Sequence, residues 1–561
     1  MAVDKNSRTY FDRRFASLKT ERQSFDAHYK DLAQFIQPRR GRFFTTDRNR
    51  GGKRHQSIIN SHATYAHRTA MTGLFAGIMN PARPWFRWET DDKDLMEFGP
   101  VKLWVENLEE LMREIFLSGN LYNMAPTLFG EELLFGTGCM LHTDDFNDVA
   151  RFYTLTAGSY WIAQDGLQRV STLGREYEMT VEQLVGQFGT SNVSDHVKTQ
   201  FDNGNMDTWV PVAHMIEPNP QFDPRRAESR FKAFRSVKYE ISNPDKDKFL
   251  SRKGFDRFPS YNPRWEVTGE DVYGTNCPAM TALGDVKGLQ TEEKRKGQAI
   301  AKMVNPPLKG PASLRQVPIS ALPGGTTAYD LGTGQDKLGP LYQVDPRLGE
   351  LMADIDKVER RIDRAFFVDL FMAISSMEGI QPKNQLELSQ RNEERLTQLG
   401  PALGRNHGEL LKPLLENTFH QIVEADILPE PPEELKGKEL NVKFVSSLAM
   451  AQQALATAGM ERLTAFTTQL SQIRPEVVDK LDADQMIDEY GRLTGVPARV
   501  VVPDDIVAEV RQARIEEEQR QQQAAQLMEL AKSGGGAVKD LTQAGAQVQE
   551  AQDRQGEGSE T

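Results

Sequence analysis

Leu348-Gly-Glu-Leu-Met-Ala-Asp-Ile-Asp-Lys-Val-Glu-Arg-Arg-Ile-Asp-Arg-Ala-Phe366 is the most regular stretch of the chain. Leu348, Leu351, Met352, Ile355, Val358, Ile362, Ala365 and Phe366 fall at helical steps and make one apolar stripe. Asp354, Asp356, Lys357, Glu359, Arg360, Arg361, Asp363 and Arg364 fill the other faces with both signs of charge. Asp345-Pro346 predicts the start, with the aspartate as cap and the proline in the first turn. A continuous helix from 346 to 372 would span about 40 Å. Such flanks are too polar for the interior of a monomeric core, yet they suit packing beside copies of the same rod.

The neighbouring segments frame this rod. Residues 283–303 read as a polar helix closed by Asn305-Pro306-Pro307, and a Gly/Pro-rich insert follows over 304–342. Residues 373–384 break the pattern and predict a loop. A second helical region, 385–427, contains Pro401 and Pro413 and should be kinked or split, because each proline removes a donor and crowds the preceding turn. After Pro429-Glu-Pro-Pro432, the run Leu440-Asn-Val-Lys-Phe-Val445 predicts a strand returning to the sheet of the first domain. Two helices flanking a compact insert can run antiparallel and carry that insert to one end of an elongated subunit. Heterologous contacts between such subunits close into a ring when the rotation permits. A helical hairpin inside a large globule satisfies the same spacing.

The first half reads as α+β. Residues 8–37, 57–79, 101–118 and 124–136 carry helical patterns, and Asn80-Pro-Ala-Arg-Pro-Trp-Phe-Arg-Trp88 predicts a strand after a turn. Short β-like runs occupy 151–155, 160–163, 169–173, 210–216 and 236–241, with a helix at 180–189. Residues 447–471, 482–494 and 504–532 read as helices, and from Ser533 to Thr561 the composition predicts a disordered tail.

Bulk chemistry narrows the function. Sixty-eight basic against 80 acidic side chains give a net charge of −12 over 561 residues. That argues against tight non-specific gripping of duplex DNA, which needs cationic patches. It permits a surface past which DNA slides. The basic run Arg39 to Arg54 reads equally as a solvated loop or a nucleic-acid contact. Two distant cysteines, Cys139 and Cys277, predict neither a disulfide framework nor a zinc site. No apolar N-terminal segment or membrane-length run is present, so a soluble protein made in a cytoplasm is expected.

The search for chemistry returns little. There is no phosphate-cradling Gly-x4-Gly-Lys-Ser/Thr loop and no Gly-x-Ser-x-Gly elbow. His62 and His67 are five apart and do not share a helix face, and Asp144, Asp145 and Asp148 read as an acidic turn. No catalytic residue, metal or cofactor is nominated, and no enzyme is expected.

One resemblance bears on the ring. The stretch Val267-Thr-Gly-Glu-Asp-Val-Tyr-Gly-Thr-Asn-Cys-Pro-Ala-Met-Thr-Ala-Leu-Gly-Asp-Val-Lys-Gly-Leu289 resembles the entry to the first stem helix in head-to-tail connector (portal) proteins of short-tailed phages. The family pattern is Gly-Glu-x-Tyr-Gly-x-x-Pro-x-x-x-x-Leu, and here Val272 is an extra residue before Tyr273. Asn305-Pro306-Pro307, Asn80-Pro-x-x-x-Trp-Phe, Gln164-Asp-Gly-Leu-Gln-Arg-Val and Met179 to Phe188 are similar to other landmarks of that family, in the same order. Coverage runs from about residue 10 to 450, and the C-terminal region carries no matching landmark.

The resemblance implies a mainly helical α+β portal fold, assembled as a ring of twelve copies at one capsid vertex. It assigns 1–282 to a wing, 283–303 and 343–372 to stem helices, 304–342 to a clip and 373–384 to a tunnel loop. Residues 385–446 would be the kinked helix and returning strand of the wing, 447–532 a crown and 533–561 the tail. Ser375, Ser376, Gln381 and Lys383 would face DNA, as would the stem residues Lys357, Arg360, Arg361 and Arg364. Contacts would reach phosphate only, since any sequence must pass. The implied partners are other copies, double-stranded DNA, the terminase large subunit, major capsid and scaffolding proteins, and tail adaptor or tail tube proteins, with no membrane. Two other classes fit the bare sequence: a nucleic-acid enzyme with a diffuse site, and a helical scaffold or adaptor lacking a channel.

Overall fold

The computed structural model describes residues 4–43, 56–92, 95–96, 98–245, 248–309, 339–340, 347–376, 398–438, 440–445, 460, 463–494, 502 and 504–533. The chain forms two compact units. One comprises 1–89, 107–430 and 440–456, and the other comprises 90–106, 431–439 and 457–561.

The larger unit opens with α1 (Arg8–Phe35), whose first turn is capped by the Ser7 hydroxyl accepting from the Tyr10 N–H. Then come α2 (His62–Ile78), β1 (Phe86–Thr90), α3 (Gly99–Ser118) and α4 (Leu121–Phe135). Strands β2 (Met140–Asp145), β3 (Val149–Thr154), β4 (Tyr160–Gln164) and β5 (Val170–Thr180) follow. Helices α5 (Val181–Phe188) and α6 (Asp195–Asp202) separate these from β6 (Trp209–Pro218), β7 (Phe234–Glu240), β8 (Ser251–Phe255) and β9 (Ser260–Tyr261).

Strands β4 to β8 pair in sequence order as a five-stranded antiparallel sheet, and β3-β2-β9 form a second sheet. Phe11, Phe15 and Leu18 of α1 pack on Trp161, Ala213, Met215, Val237 and Tyr239 of the five-stranded sheet. The opposite face carries Ile162, Leu173 and Ile216 in one cluster and Val210 and Val212 in another, the latter covered by α5 and α6. Arg22 is buried in this core, donating to the Tyr160 carbonyl at 3.0 Å and lying among the rings of Tyr29, Tyr160 and Tyr273.

The long rods come next: α7 (Pro278–Val304), the short strands β10 (Leu308–Lys309) and β11 (Gly339–Pro340), α8 (Leu348–Ala365) and α9 (Val368–Ser376). Here the expected continuous helix over 346–372 is corrected. Among the described residues it opens at Leu348, with Arg347 in the left-handed region at φ 39° and no side-chain cap, and Asp345 and Pro346 lie outside the described residues. It then breaks after Ala365, where Phe367 holds φ 55° and a new helix begins. The apolar spacing predicts one rod because the stripe continues through Phe366, but periodicity does not sense a single left-handed residue. The expected loop over 373–384 is corrected at its start, since residues through Ser376 are helical.

Residues 398–406 are helical and run into a π-helical turn, His407–Leu411, and then α10 (Lys412–Glu424). The wider turn sits where the Pro413 ring would otherwise crowd the carbonyl four residues earlier. Strand β12 (Leu440–Phe444) returns to the first domain as expected, but pairs with β1 as a separate two-stranded ladder rather than joining the five-stranded sheet. In the smaller unit lie residues 463–471, α11 (Ala483–Thr494) and α12 (Asp504–Ser533), with Arg511 of α12 donating to Asp484 of α11 at 2.8 Å. The residues expected to form most of the clip, 310–338, and the tail beyond 533 lie outside the described residues.

Candidate functional site

The rods are anchored by the motif that precedes α7. Tyr273 is buried and its hydroxyl accepts from the Ile162 N–H at 3.0 Å. Gly274 follows because a Cβ there would stand 2.0 Å from the carbonyl oxygen of Gly136, itself a left-handed helix terminus at φ 74°. Pro278 occupies the first turn of α7, where its missing N–H costs nothing. The Tyr-Gly-x-x-x-Pro spacing is therefore a docking device for the rod.

Beyond that anchor α7 changes environment. Pro278, Ala279, Ala282, Leu283, Val286, Leu289 and Gln290 are buried, whereas residues 291–304 are exposed or half-exposed. On α8 the order is reversed: Leu351 to Asp354 are largely exposed, and Ile355, Val358, Ile362 and Phe366 are buried. The helices run antiparallel, joined near the base by Arg361, which donates to Asp285 at 2.8 Å. The far half of the pair exposes Ile300, Met303, Val304 and Met352, four large apolar side chains in open solvent.

A polar clamp at the start of α2 fixes both rods. The Gln290 side-chain carbonyl accepts from the Ile59 and Asn60 N–H groups at 2.6 and 2.9 Å, and its amide donates to the Asn60 carbonyl at 2.8 Å. Asn60 Nδ2 donates to Glu293 on α7 and to Glu359 on α8. His62 Nε2 lies 2.8 Å from Asp363. Past the clamp, the α8–α9 elbow is gripped by aromatic contacts: Phe366 edge-on to His67, and Phe367 against Trp265. Gly73 of α2 leaves the notch filled by Phe371, whose atoms would lie 2.4 Å from an added Cβ. Burial, with Arg40 nearby, pushes His67 down to about 3, so its ring is neutral in this packing.

Among the described residues no group of three or more His, Cys, Asp or Glu could hold a metal ion, and no helix is long and apolar enough to cross a membrane.

The family of bacteriophage head to tail connecting proteins matches residues 8–502. The chain belongs to that family. Relatives include the portal protein of Salmonella phage epsilon15, 41% identical over 531 residues, covering 95% of this chain and 94% of the relative. The probable portal protein of Bordetella phage BPP-1 is 42% identical over 515 residues, covering 92% of each. The match to this head-to-tail connector family thus extends into the C-terminal region, where the sequence carries no family landmark.

The nominated residues divide sharply. Successive helical residues are turned by about 100°, so Lys357, Arg360, Arg361 and Arg364 share one arc of α8, opposite the buried stripe. All four are exposed. Arg361 is engaged by Asp285, while Lys357, Arg360 and Arg364 make no ion pair among the described residues. Ser375 and Ser376 lie in the last turn of α9, and Gln381 and Lys383 lie outside the described residues. Lys294, Arg295 and Lys302 are further exposed cations, on the far half of α7. In the sequence the cluster Lys294-Arg-Lys296 reads only as part of a polar helix. Asn60 and His62 were missed as a clamp, because their partners are 230 or more residues away.

Proposed function

We propose that this connector is a portal subunit whose copies, twelve by family resemblance, close into a ring around a channel for double-stranded DNA. The observation that carries this reading is the far half of the α7–α8 pair, which leaves apolar and charged flanks bare in a single copy. Neighbouring rods would cover those flanks, and the inner surface would pass DNA by transient phosphate contacts with Lys357, Arg360 and Arg364. In this reading 1–282 and 385–446 form the wing, 283–303 and 343–372 the stem, 304–342 the clip, 373–384, entered through the last turn of α9, the tunnel loop, and 447–532 the crown. The tunnel loop would add Ser375, Ser376, Gln381 and Lys383. The clip would dock the terminase large subunit during packaging and tail adaptor or tail tube proteins afterwards, while the wing would meet capsid and scaffolding proteins. The ring would sit at the head–tail junction of the virion after assembly in the host cytoplasm, and it would hydrolyse nothing itself. Negative-stain microscopy of the expressed chain tests the proposal. Rings with a central hole support it; isolated globules would favour the enzyme alternative, and solid rods a scaffold.

A further inference from the structure

On one face of the five-stranded sheet, Arg175 of β5 lies directly across from His214 of β6, and His214 directly across from Lys238 of β7. Lys253 of β8 pairs with Ser236, one step along the same face. Like charges opposed on neighbouring strands are destabilising, and this row is only half relieved internally. Arg175 Nε donates to His214 Nδ1 at 3.1 Å, which leaves the ring neutral, with Nε2–H donating to the Ser236 hydroxyl at 2.9 Å. The neutral imidazole separates two cations without neutralising either. The Arg175 guanidinium lies 4.6 Å over the Tyr177 ring, and the Lys238 ammonium 5.8 Å from that of Phe188. Among the described residues no carboxylate pairs with Arg175, Lys238 or Lys253; Glu240, the nearest acid along β7, accepts the Ser194 N–H at 2.7 Å. Burial, then Arg175 and Lys253, lowers Lys238 to about 8. Partly buried cations without a counter-ion are costly, so the row is suited to a carboxylate from outside.

The complementary surface is on α3. Glu110 and Glu114 are exposed one turn apart, with Leu117, 60% exposed, on the same face. Neither glutamate makes an ion pair among the described residues, and like charges at this spacing repel. Carboxylates four residues apart on a helix are separated by about 6 Å, within side-chain reach of the roughly 7–8 Å diagonal that separates Lys238 from Lys253. Basic row and acidic ridge are different patches of one chain, the arrangement of a heterologous contact that repeats from copy to copy.

We propose that Glu110 and Glu114 of one copy dock on Arg175, Lys238 and Lys253 of the next. The occupant is a second copy of this chain, and the inference rests on the ring reading above. The test is charge exchange in the full chain, read by native mass spectrometry. Lys238→Glu with Lys253→Glu, and separately Glu110→Lys with Glu114→Lys, should each lower the assembled fraction by about tenfold or more. Combining all four substitutions should restore most of it. Unchanged assembly in either pair, or no restoration in the combination, overturns the contact. Zero-length carbodiimide coupling of wild-type assemblies, made from mixed heavy- and light-isotope copies, guards against misfolded variants. Bonds from Lys238 or Lys253 to Glu110 or Glu114 of a different copy are expected, and their absence from intact rings overturns the contact while leaving the ring. A wild-type chain that forms no ring overturns the ring reading itself, and the contact with it.

Discussion

Residues 278–290 and 291–304 belong to one helix, yet they live in different surroundings. The first half is embedded among α1, α4 and α8, with Val286 and Leu289 fully buried. The second half leaves Ile300, Met303 and Val304 open. Nothing in helical propensity distinguishes the halves, so the difference lies in what each packs against. An embedded half is explained by the fold of one copy. An exposed apolar half is what neighbouring copies would cover in the proposed ring.

The comparison is broken most forcefully by substitutions of equal size in the two halves. Leu289→Ala should lower the stability of dissociated copies by about 3 kcal/mol, through lost burial and a residual cavity. Ile300→Ala should change it by less than about 0.5 kcal/mol while reducing assembly. Denaturant titration checks the first value, and native mass spectrometry the second. Comparable destabilisation by both would show that the far half is already packed within one copy.

The embedded base also carries a titration. Burial pushes Glu132 of α4 up to about 8, partly offset by Asn406 donating to it at 2.8 Å, and Glu409 raises it further. The folded state therefore binds this proton more tightly than the unfolded one. The associated stability is fully present below the ordinary glutamate range and is lost as pH rises through about 8, at up to about 1.4 kcal/mol per pH unit. Denaturation midpoints between pH 5 and 9 should fall accordingly, and Glu132→Gln should flatten that part of the profile.

The clamp between the halves ranks next. Gln290→Ala leaves the Ile59 and Asn60 N–H groups without their acceptor and should cost about 1–3 kcal/mol, seen as a lower melting temperature. Smallest on the fold, replacing Lys357, Arg360 and Arg364 together by Ala should shift stability by no more than about 0.5 kcal/mol. DNA packaging or retention by particles carrying the triple variant should nonetheless fall. A normal DNA content would remove these residues from the conduit.

Much of this was legible in the sequence because it depends on local periodicity. The α1, α2, α8 and β6 patterns each expose an apolar stripe or run that only one element satisfies. Strand β8 was not legible: Ser251-Arg-Lys-Gly-Phe255 reads as a polar turn, since an edge strand carries charge and shows little alternation. Strand β2 was hidden by Asp144 and Asp145, which look like turn residues until paired with Ala150 and Val149. The elbow at Phe367 depends on Trp265 and His67, contacts far along the chain. The basic arc of α8 was legible as charge, but its separation from the acidic residues that meet Asn60 and His62 required the tertiary packing.

Peroxide footprinting of Met303 and Met352, before and after assembly, asks most directly whether the projecting rods are covered by sister copies. Dissociated chains should oxidise at both thioethers quickly, as their 46% and 57% exposure requires. Ring-shaped particles should protect them about tenfold or more. Equal oxidation rates in the two states would contradict a stem built from neighbouring α7–α8 pairs.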